Sequence, residues 1–234
     1  MAERVVITGA NRGLGLELAR HYGQRGAEVW GTCRRPDEAT ELRELTDRVV
    51  ELDVGAEESI ERFAAAFGSQ PLDVLVNNAG VDGRALGVAD EERDVLQLSG
   101  DVFLGEIRIN ALGPMLLTRA LLGPLELASR PRVLNVSSTV GSMEVAPRMG
   151  RDIGYVVSKV ALNMITIKLA GLLRDDGVVV VALHPGILRT ALASPRGEVE
   201  ETGPAAGEIV DLIDGLTLDH SGTFLRRDGS THPW

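Results

Sequence analysis

The sequence contains little cysteine and few aromatic residues. Cys33 is the only cysteine among 234 residues, so no intrachain disulfide can form. A lone thiol is consistent with a reducing cytoplasm, where we expect the protein to be. Aromatic residues make up 3% of the chain and hydrophobic residues 44%, which predicts a sizeable core packed mainly from aliphatic side chains.

Basic charge is also in deficit, because 24 basic residues face 34 acidic ones and the net charge is −10. Nucleic acids and anionic membranes both attract basic surfaces, so we expect neither as a partner. No signal peptide is evident, since the chain runs almost directly into a predicted strand at residues 4–8. No apolar run reaches membrane-spanning length.

Lysine is scarce even among the basic residues. Only Lys159 and Lys168 are lysines; every other basic residue is arginine. Lys159 follows Tyr155 by four residues, so on a helix both side chains lie on one face. An ammonium beside a phenol favours the phenolate and should lower the pKa of the tyrosine. Such a pair suits reversible carbonyl chemistry, although the pattern alone also fits a pair on a helix surface.

Short runs of β-branched residues alternate with amphipathic stretches along the whole chain. Predicted strands span residues 4–8, 27–32, 48–52, 72–76, 132–136, 178–183 and 223–226, and predicted helices span 14–25, 37–45, 56–67, 101–128, 153–173 and 204–215. Several strands are continuously apolar, which is typical of a parallel sheet covered on both faces. We therefore predict an α/β fold: one doubly wound, Rossmann-type parallel sheet of about seven strands with helices on both faces.

A glycine-rich turn joins the first strand to the first helix. Gly9, Gly13 and Gly15 are spaced Gly-x-x-x-Gly-x-Gly. Glycines there allow a tight turn and a close approach of the backbone to a pyrophosphate at the helix N-terminus. A purely structural turn is the alternative, but the position between strand and helix favours a dinucleotide site.

The end of the second strand predicts which dinucleotide binds. NAD sites usually carry a carboxylate there that binds the adenosine ribose, whereas this chain has Cys33 followed by Arg34. Arg12 lies inside the glycine turn, and both guanidinium groups could bind a 2′-phosphate. We therefore expect NADP(H) to be preferred over NAD(H). The alternative is that both are ordinary solvated arginines in an arginine-rich chain.

Two further strand ends could contact the adenosine part. Asp53 follows the third strand and could accept a hydrogen bond from the adenine amino group, or it could cap the next helix. The segment Asn77-Asn78-Ala79-Gly80 ends the fourth strand. Its small residues and amides suit a backbone packed against a ribose, although a plain turn would have the same composition.

Taken together, these segments resemble the short-chain dehydrogenase/reductase family over essentially the whole chain. The matching residues are the Thr8 to Gly15 turn, Asn77 to Gly80, Asn110, Ser138, Tyr155, Lys159 and Pro185-Gly186. Within the family, the chain is most similar to small carbonyl reductases of the sniffer and C-factor type. That similarity rests on residues 7–13, Thr32-Cys33-Arg34 and segments of residues 222–234.

The resemblance implies a catalytic role for four residues. Tyr155 would protonate the substrate oxygen, and Lys159 would lower the pKa of Tyr155 and hold the nicotinamide ribose. Ser138 would hydrogen-bond the carbonyl oxygen; Ser137 beside it should face the other way, since adjacent strand residues alternate. Asn110 would hold a water that links Lys159 to solvent.

The resemblance also implies a set of cofactor contacts and no metal. The set comprises Gly9, Asn11, Arg12, Gly13, Leu14, Gly15, Arg34, Asp53, Val54, Asn78, Ala79, Gly80, Tyr155, Lys159, Pro185, Gly186 and Thr190. We expect one domain, residues 1–234, with a cofactor half at about 1–130 and a catalytic half at about 131–234. The partner would be a small carbonyl or alcohol substrate, and homodimer formation is left open.

One spacing departs from the family pattern, and one polar loop carries a separate prediction. Ser138 and Tyr155 are 17 residues apart, a few more than in most members, and the extra length lies in residues 143–152, which should border the substrate pocket. Residues 190–203 are predicted to form a mobile flap, with Ala191 to Ala193 over the substrate and Glu198, Glu200 and Glu201 facing water; an ordinary surface loop is the alternative.

Three functions remain open at this point. The leading hypothesis is reduction of an aldehyde or ketone by NADPH, and the reverse oxidation of a secondary alcohol is the second. A dinucleotide-binding sensor or C-factor-like signalling protein on the same fold is the non-enzymatic alternative. A sugar-nucleotide epimerase shares the Tyr-x-x-x-Lys pattern, but the segment after residue 186 leaves little room for a sugar-nucleotide domain.

Overall fold

A seven-stranded parallel sheet forms the centre of the molecule. The computed structural model describes residues 2–145, 152–189 and 199–234. The strands are β1 (Arg4–Thr8), β2 (Glu28–Cys33), β3 (Val49–Glu51), β4 (Val74–Asn77), β5 (Arg132–Val136), β6 (Val179–His184) and β7 (Phe224–Arg226). Their order is β3-β2-β1-β4-β5-β6-β7, and every neighbouring pair is parallel. The prediction of a doubly wound parallel sheet is confirmed.

Helices cover both faces of this sheet. They are α1 (Gly13–Gln24), α2 (Thr40–Leu45), α3 (Glu57–Phe67), α4 (Gly100–Ile107), α5 (Gly113–Ala120), α6 (Leu122–Glu126), α7 (Ile153–Leu172) and α8 (Thr202–Gly215). Successive residues of β1 point to opposite faces, so Val5 and Ile7 pack with α1, α2 and α8, while Val6 packs with α3, α5, α6 and α7. Two aliphatic cores result, one on each side of the sheet, as the low aromatic content predicts.

The direction of winding reverses at the centre of the sheet. β1 pairs with β2 on one side and with β4 on the other, so the chain crosses from one half of the sheet to the other between them. The carboxyl ends of parallel strands on either side of such a point diverge and leave a crevice, where open α/β folds bind ligands. Thr8 at the end of β1 and Asn77 at the end of β4 therefore mark the expected cofactor position.

The helix predicted over residues 101–128 is not continuous. α4 ends at Ile107 and a π-helical segment, Arg108–Leu112, joins it to α5. Pro114 at the start of α5 has no N–H to donate to the carbonyl of Asn110, which accounts for the local change in winding. π segments of this kind are frequently found at functional sites, and this one contains Asn110.

α7 is the longest helix and one of the most apolar segments. It has 20 residues, and one 18-residue window has a mean hydropathy of 1.4. By length and composition alone α7 could therefore cross a membrane, contrary to the expectation from the sequence. Its inner face buries Lys159, Asn163 and Thr166 against the sheet, which is also typical of a helix in a globular core.

Candidate active site

The glycine turn after β1 leaves room for a ligand against the backbone. Gly9 has a φ of 64° and Gly13 a φ of 56°, a region that L side chains rarely adopt. A Cβ on Gly15 would clash with the carbonyl oxygen of Gly9 and lie 2.6 Å from Nδ2 of Asn78. The turn therefore requires glycine at these positions for reasons of space and backbone conformation.

The N-terminus of α1 opens onto this turn. Its N-cap residue, Arg12, makes no side-chain capping hydrogen bond, so the first-turn N–H groups remain available as donors. Leu14 is buried in the core beneath them, whereas Asn11 and Arg12 are exposed. A pyrophosphate fits such a helix end by hydrogen bonding and by the helix dipole.

The turn after β4 is fastened to β1 by a single threonine. Thr8 Oγ1 accepts hydrogen bonds from the backbone N–H groups of Asn78 and Ala79, both at 2.9 Å. Asn78 Nδ2 donates to the Thr8 carbonyl at 2.8 Å. A Cβ at Gly9 would come within 3.1 Å of Ala79 Cα. The segment Asn78 to Gly80 thus forms the second wall of the crevice, fixed by side chains rather than by turn propensity alone.

Arg12 in the glycine turn and Arg34 after β2 are the two arginines that the sequence predicts to contact a 2′-phosphate. Arg12 and Arg34 are both exposed, and within residues 2–145, 152–189 and 199–234 neither has an ion-pair partner. Arg35 beside them is different, because it forms a 2.9 Å ion pair with Glu38. Two unpaired guanidinium groups at this edge of the sheet would favour an additional phosphate.

Asp53 does not cap the next helix, so that alternative is wrong. α3 starts at Glu57 with Ala56 at its N-cap, and Asp53 Oδ1 instead accepts a 2.9 Å hydrogen bond from the N–H of Gly55. Val54 is buried and its carbonyl oxygen lies against Gly113, where a Cβ would clash with it. These contacts fix the end of β3 next to the π segment.

The segment after β6 carries an additional charged contact that the sequence did not indicate. Gly186 has a φ of 94°, and Arg227 Nη1 donates to the Pro185 carbonyl at 3.2 Å. The same arginine pairs with Glu200. Thr190, Ala191 to Ala193 and Glu198 lie outside the described residues, and the flap prediction lies there with them. Glu200 and Glu201 are exposed but ion-paired, Glu201 with Arg189 at 2.8 Å.

Asn110 is held rigidly in the π segment. It is fully buried; its Oδ1 accepts from the N–H of Val81 at 2.8 Å, and its Nδ2 donates to the Val81 carbonyl at 2.7 Å and to Ser158 Oγ at 2.9 Å. A Cβ on Gly80 would lie 3.3 Å from Asn110 Oδ1 and 3.7 Å from Lys159 Nζ. Gly80 therefore keeps the space between these two side chains open.

Lys159 is a buried ammonium on the inner face of α7. Its side chain is 4% exposed, and Nζ donates a 2.8 Å hydrogen bond to the carbonyl of Val136 at the end of β5. Burial disfavours the charged form and lowers the pKa of Lys159 to about 8. The group can therefore change its charge close to physiological pH.

Tyr155 differs from the expectation in one respect. Its pKa is raised to about 12, because burial disfavours the phenolate, and the hydrogen bond from Ser138 opposes this only in part. Lys159 Nζ lies 5.6 Å from the centre of the Tyr155 ring. The expected lowering of the Tyr155 pKa by Lys159 is thus wrong: desolvation dominates, and the phenol is neutral at physiological pH.

The two serines at the end of β5 have separate environments. Ser137 is buried, and its Oγ donates to Asn163 Oδ1 at 2.6 Å. Ser138 is half-buried and reaches the Tyr155 phenol. Asn135 Nδ2 donates to Thr166 Oγ1 at 2.9 Å on the same helix. Hydrogen bonds from Asn163 and Thr166 therefore hold α7 against β5 and Ser137, while Ser138 remains available to a ligand.

Three residues that the sequence reading did not single out lie beside Tyr155. Asp152 caps α7, with Oδ1 accepting from the N–H of Tyr155 at 3.4 Å. Arg93 Nη1 lies 3.1 Å from Asp152 Oδ2, and Glu106 is fully buried nearby. The only local signal was an aspartate three residues before the tyrosine, which is typical of an N-cap.

The described residues fit a nicotinamide dinucleotide. The glycine turn and the open end of α1 provide a diphosphate cradle, Asn78 to Gly80 provides a flat backbone wall, and Tyr155, Ser138 and Lys159 lie beyond it at the ends of β5 and α7. A neutral phenol hydrogen-bonded to a serine hydroxyl can give a proton to an oxygen atom. The arrangement suits proton transfer coupled to hydride transfer.

Comparison with known proteins gives the same result. A family model described as short chain dehydrogenase matches residues 3–201. C-signal of Myxococcus xanthus is 36% identical over 172 residues, 74% of this chain and 98% of that protein. NADPH-bound carbonyl reductase from chicken fatty liver superposes with a TM-score of 0.90 at 29% identity, covering 100% and 99% of the two chains.

A second solved structure supports the same assignment. Carbonyl reductase Sniffer of D. melanogaster superposes with a TM-score of 0.87 at 27% identity, and each chain is covered completely. The resemblance to sniffer-type carbonyl reductases read from the sequence is confirmed. This protein therefore belongs to the short chain dehydrogenase family, whose members are oxidoreductases that transfer hydride with a nicotinamide dinucleotide.

Proposed function

We propose that the protein is an NADPH-dependent reductase of small, uncharged aldehydes or ketones, with Tyr155 as the proton donor. The observation that carries this proposal is the neutral Tyr155 phenol, which is hydrogen-bonded to Ser138 and lies beside the buried Lys159 ammonium. A group that is fully protonated at neutral pH is ready to donate a proton to a carbonyl oxygen.

Each of the four residues has a separate task in this proposal. NADPH, when bound, supplies the hydride. Tyr155 gives its proton to the substrate oxygen, and Ser138 hydrogen-bonds that oxygen and stabilises the charge that develops on it. Lys159 stabilises the phenolate that Tyr155 becomes, because an adjacent positive charge favours an anion. Asn110 links the segment after β4 to α7, because its side chain hydrogen-bonds both to Val81 and to Ser158.

The proton states favour reduction over oxidation near neutral pH. With a pKa of about 12, Tyr155 carries its proton, as a reductase needs. Alcohol oxidation would require the phenolate as base, which is scarce at pH 7.

The preference for NADPH rests on two exposed arginines. Arg12 and Arg34 could both contact a 2′-phosphate, and no carboxylate occupies the position of Cys33. The NADPH-bound carbonyl reductase from chicken fatty liver is a structural neighbour that carries this cofactor. We also propose that residues 1–234 act as one domain, since both core clusters extend along most of the sheet.

A second function is favoured by one observation. The similarity to C-signal, at 36% identity, keeps open a signalling role on the same fold. The two proposals differ in what they require of Tyr155, because a signalling protein has no need for a proton donor in its dinucleotide site.

The deciding experiment measures NADPH oxidation with a panel of aldehydes, ketones and quinones, with NADH in parallel. We expect turnover with uncharged carbonyl compounds and a preference for NADPH. The same panel is run with Tyr155→Phe. Tyr22→Phe is the matched control, because Tyr22 is the only other tyrosine and is fully buried in the core. No carbonyl reduction by the wild type would favour the signalling role.

A further inference from the structure

Glu106 on α4 is a buried acid that the proposed reaction does not use. Its side chain is fully buried, and within the described part of the chain neither carboxyl oxygen meets an N–H or O–H donor. The carboxyl lies against Gly154 of α7, so closely that a Cβ there would overlap Oε2. An ionised carboxylate without donors is costly in such a place.

Asp152, by contrast, is supplied with donors from three directions. Oδ2 accepts from the N–H of Gly83 at 3.2 Å and from Arg93 Nη1 at 3.1 Å, and Oδ1 accepts from the N–H of Tyr155 at 3.4 Å. These donors stabilise the charged form of Asp152. The aspartate therefore joins the first turn of α7 to the segment that follows β4.

Charged groups face Glu106 from both elements packed against it. Asp82 and Arg93 face it from the segment after β4, and Asp152 and Tyr155 face it from α7. Arg93 also pairs with Asp90, and Arg84 pairs with Asp82 at 2.7 Å. The Arg93 side chain, which is 12% exposed, thus pairs with three carboxylates, those of Asp82, Asp90 and Asp152, and with Glu106 it forms no ion pair among the described residues.

This charge balance determines where a proton resides. Burial is the main cause, and together with the negative charge of Asp152 it raises the pKa of Glu106 to about 8. Because Asp152 has the N–H donors and Glu106 has none, the proton belongs on Glu106 and is donated to Asp152. Glu106 is therefore mostly neutral at pH 7 and becomes charged above pH 8.

We propose that Glu106 is a positioning residue for Tyr155: its carboxyl proton, shared with Asp152, holds the first turn of α7 in the arrangement that presents the phenol. Loss of the proton places two adjacent negative charges at the start of α7. The turn that carries Tyr155 is then pushed away from α4, and turnover falls. This role rests on the proposed function of Tyr155 as proton donor.

Selective labelling tests the network without any turnover. The chain has two tyrosines, so 13C-tyrosine gives two sets of NMR signals, and Tyr155→Phe assigns them. We expect the Tyr155 Cα and ring signals to shift with a midpoint near pH 8 in the wild type. The Tyr22 signals should stay constant over that range. In Glu106→Gln, which cannot ionise but keeps the shape, the amplitude of the titration should fall, and the part that remains belongs to Lys159, whose Nζ lies 5.6 Å from the Tyr155 ring centre.

Asp152→Asn is the second variant, since it keeps an oxygen to cap α7 but removes the charge that Glu106 faces. It should shift the Tyr155 midpoint to lower pH, because one of the causes of the raised Glu106 pKa is gone. A Tyr155 titration that keeps its midpoint and amplitude in Glu106→Gln overturns the proposal, since Lys159 rather than Glu106 would then be the group observed.

Activity gives the second readout. Between pH 6.5 and 9 the ratio of kcat for Glu106→Gln to kcat for wild type should rise at least about fivefold, because the protonated fraction of Glu106 falls tenfold for each pH unit above its pKa. KM for the carbonyl substrate should be unchanged. Glu61→Gln, an exposed acid on α3, should follow the wild type throughout.

The outcomes separate this proposal from the proposed function. A constant kcat ratio overturns the positioning role even where the NMR titration is present, because the network would then be structural only. Absence of carbonyl reduction by the wild type overturns the proposed function, and the tyrosine titration then decides alone whether Glu106 controls the position of Tyr155.

Discussion

The cofactor side and the chemical side of the crevice are built in opposite ways. Around β1 and β4 the site consists of backbone: glycines with positive φ, the open end of α1, and a turn fastened by Thr8. Around β5 and α7 it consists of buried polar side chains whose pKa values are shifted by desolvation. A binding surface can be made by leaving side chains out, whereas reactivity requires them to be buried.

The comparison predicts that the chemical side is the more sensitive to a single atom. Tyr155→Phe removes the proton donor and keeps the ring, so kcat should fall by at least about 10²-fold, the scale of general acid catalysis. The affinity for NADPH, measured by fluorescence titration, should change little. A variant with near-normal turnover would show that another group donates the proton.

On the cofactor side, one added methyl group should be enough to weaken dinucleotide binding. Gly15→Ala places a Cβ against the Gly9 carbonyl and Asn78 Nδ2, so the turn must move. We expect NADPH binding to weaken by at least about tenfold, with the loss shared by NADH, because both bind through the same diphosphate. Gly23→Ala on the same helix is the control, since its nearest neighbour would be 3.9 Å away. If Gly15→Ala and Gly23→Ala bind NADPH equally well, the glycine turn is not the diphosphate site.

Charge at the end of β2 should affect one cofactor only. Arg34→Ala removes a charged contact worth about 1.5–3 kcal/mol, so NADPH affinity should fall by roughly 10–100-fold while NADH affinity is unchanged. Arg35→Ala is the matched control, because Arg35 is ion-paired with Glu38. Equal weakening of both cofactors in Arg34→Ala would remove the argument for the 2′-phosphate.

The smallest effect concerns stability. Burial lowers the folded-state pKa of Lys159 to about 8 from an ordinary value near 10.5, so between these pH values the unfolded chain binds more protons. The contribution of Lys159 therefore makes the folded state more stable as pH rises from 8 to 10.5. Lys159→Met should lose this dependence and raise Tm by a few degrees at pH 7, although turnover is lost. A Tm difference that does not vary with pH would contradict a buried, shifted lysine.

The sequence was sufficient to predict the fold, and it placed the glycine turn between β1 and α1, where the structure has it. Continuous apolar strands, the glycine spacing and the acid-free end of β2 are local patterns, and local patterns can be read without coordinates. The π segment at Asn110 lies inside the single helix predicted over residues 101–128, and only Pro114 gave a local signal that the helix would be interrupted there.

Side-chain environments could not be predicted in the same way. The raised pKa of Tyr155 depends on how deeply α7 is buried, and the contact of Glu106 with Gly154 joins residues 48 positions apart. Asp53 was compatible with two roles until the start of α3 at Glu57 excluded one. Such properties arise from tertiary packing between residues that are distant in sequence. The local spacing of residues along the chain does not reveal them.

The inner face of α7 has a consequence for how new specificities could arise in this protein. Tyr155, Lys159, Asn163 and Thr166 follow one another at intervals of four, four and three residues, and the last three make hydrogen bonds to β5 or to Ser137, which directly follows it. Each of these three side chains already has a hydrogen-bond partner, so a substitution there would disturb the packing of α7 against the sheet. Evolution or laboratory selection for another substrate must therefore act on the loops at the mouth of the crevice, which can vary in length while the reaction geometry is inherited intact.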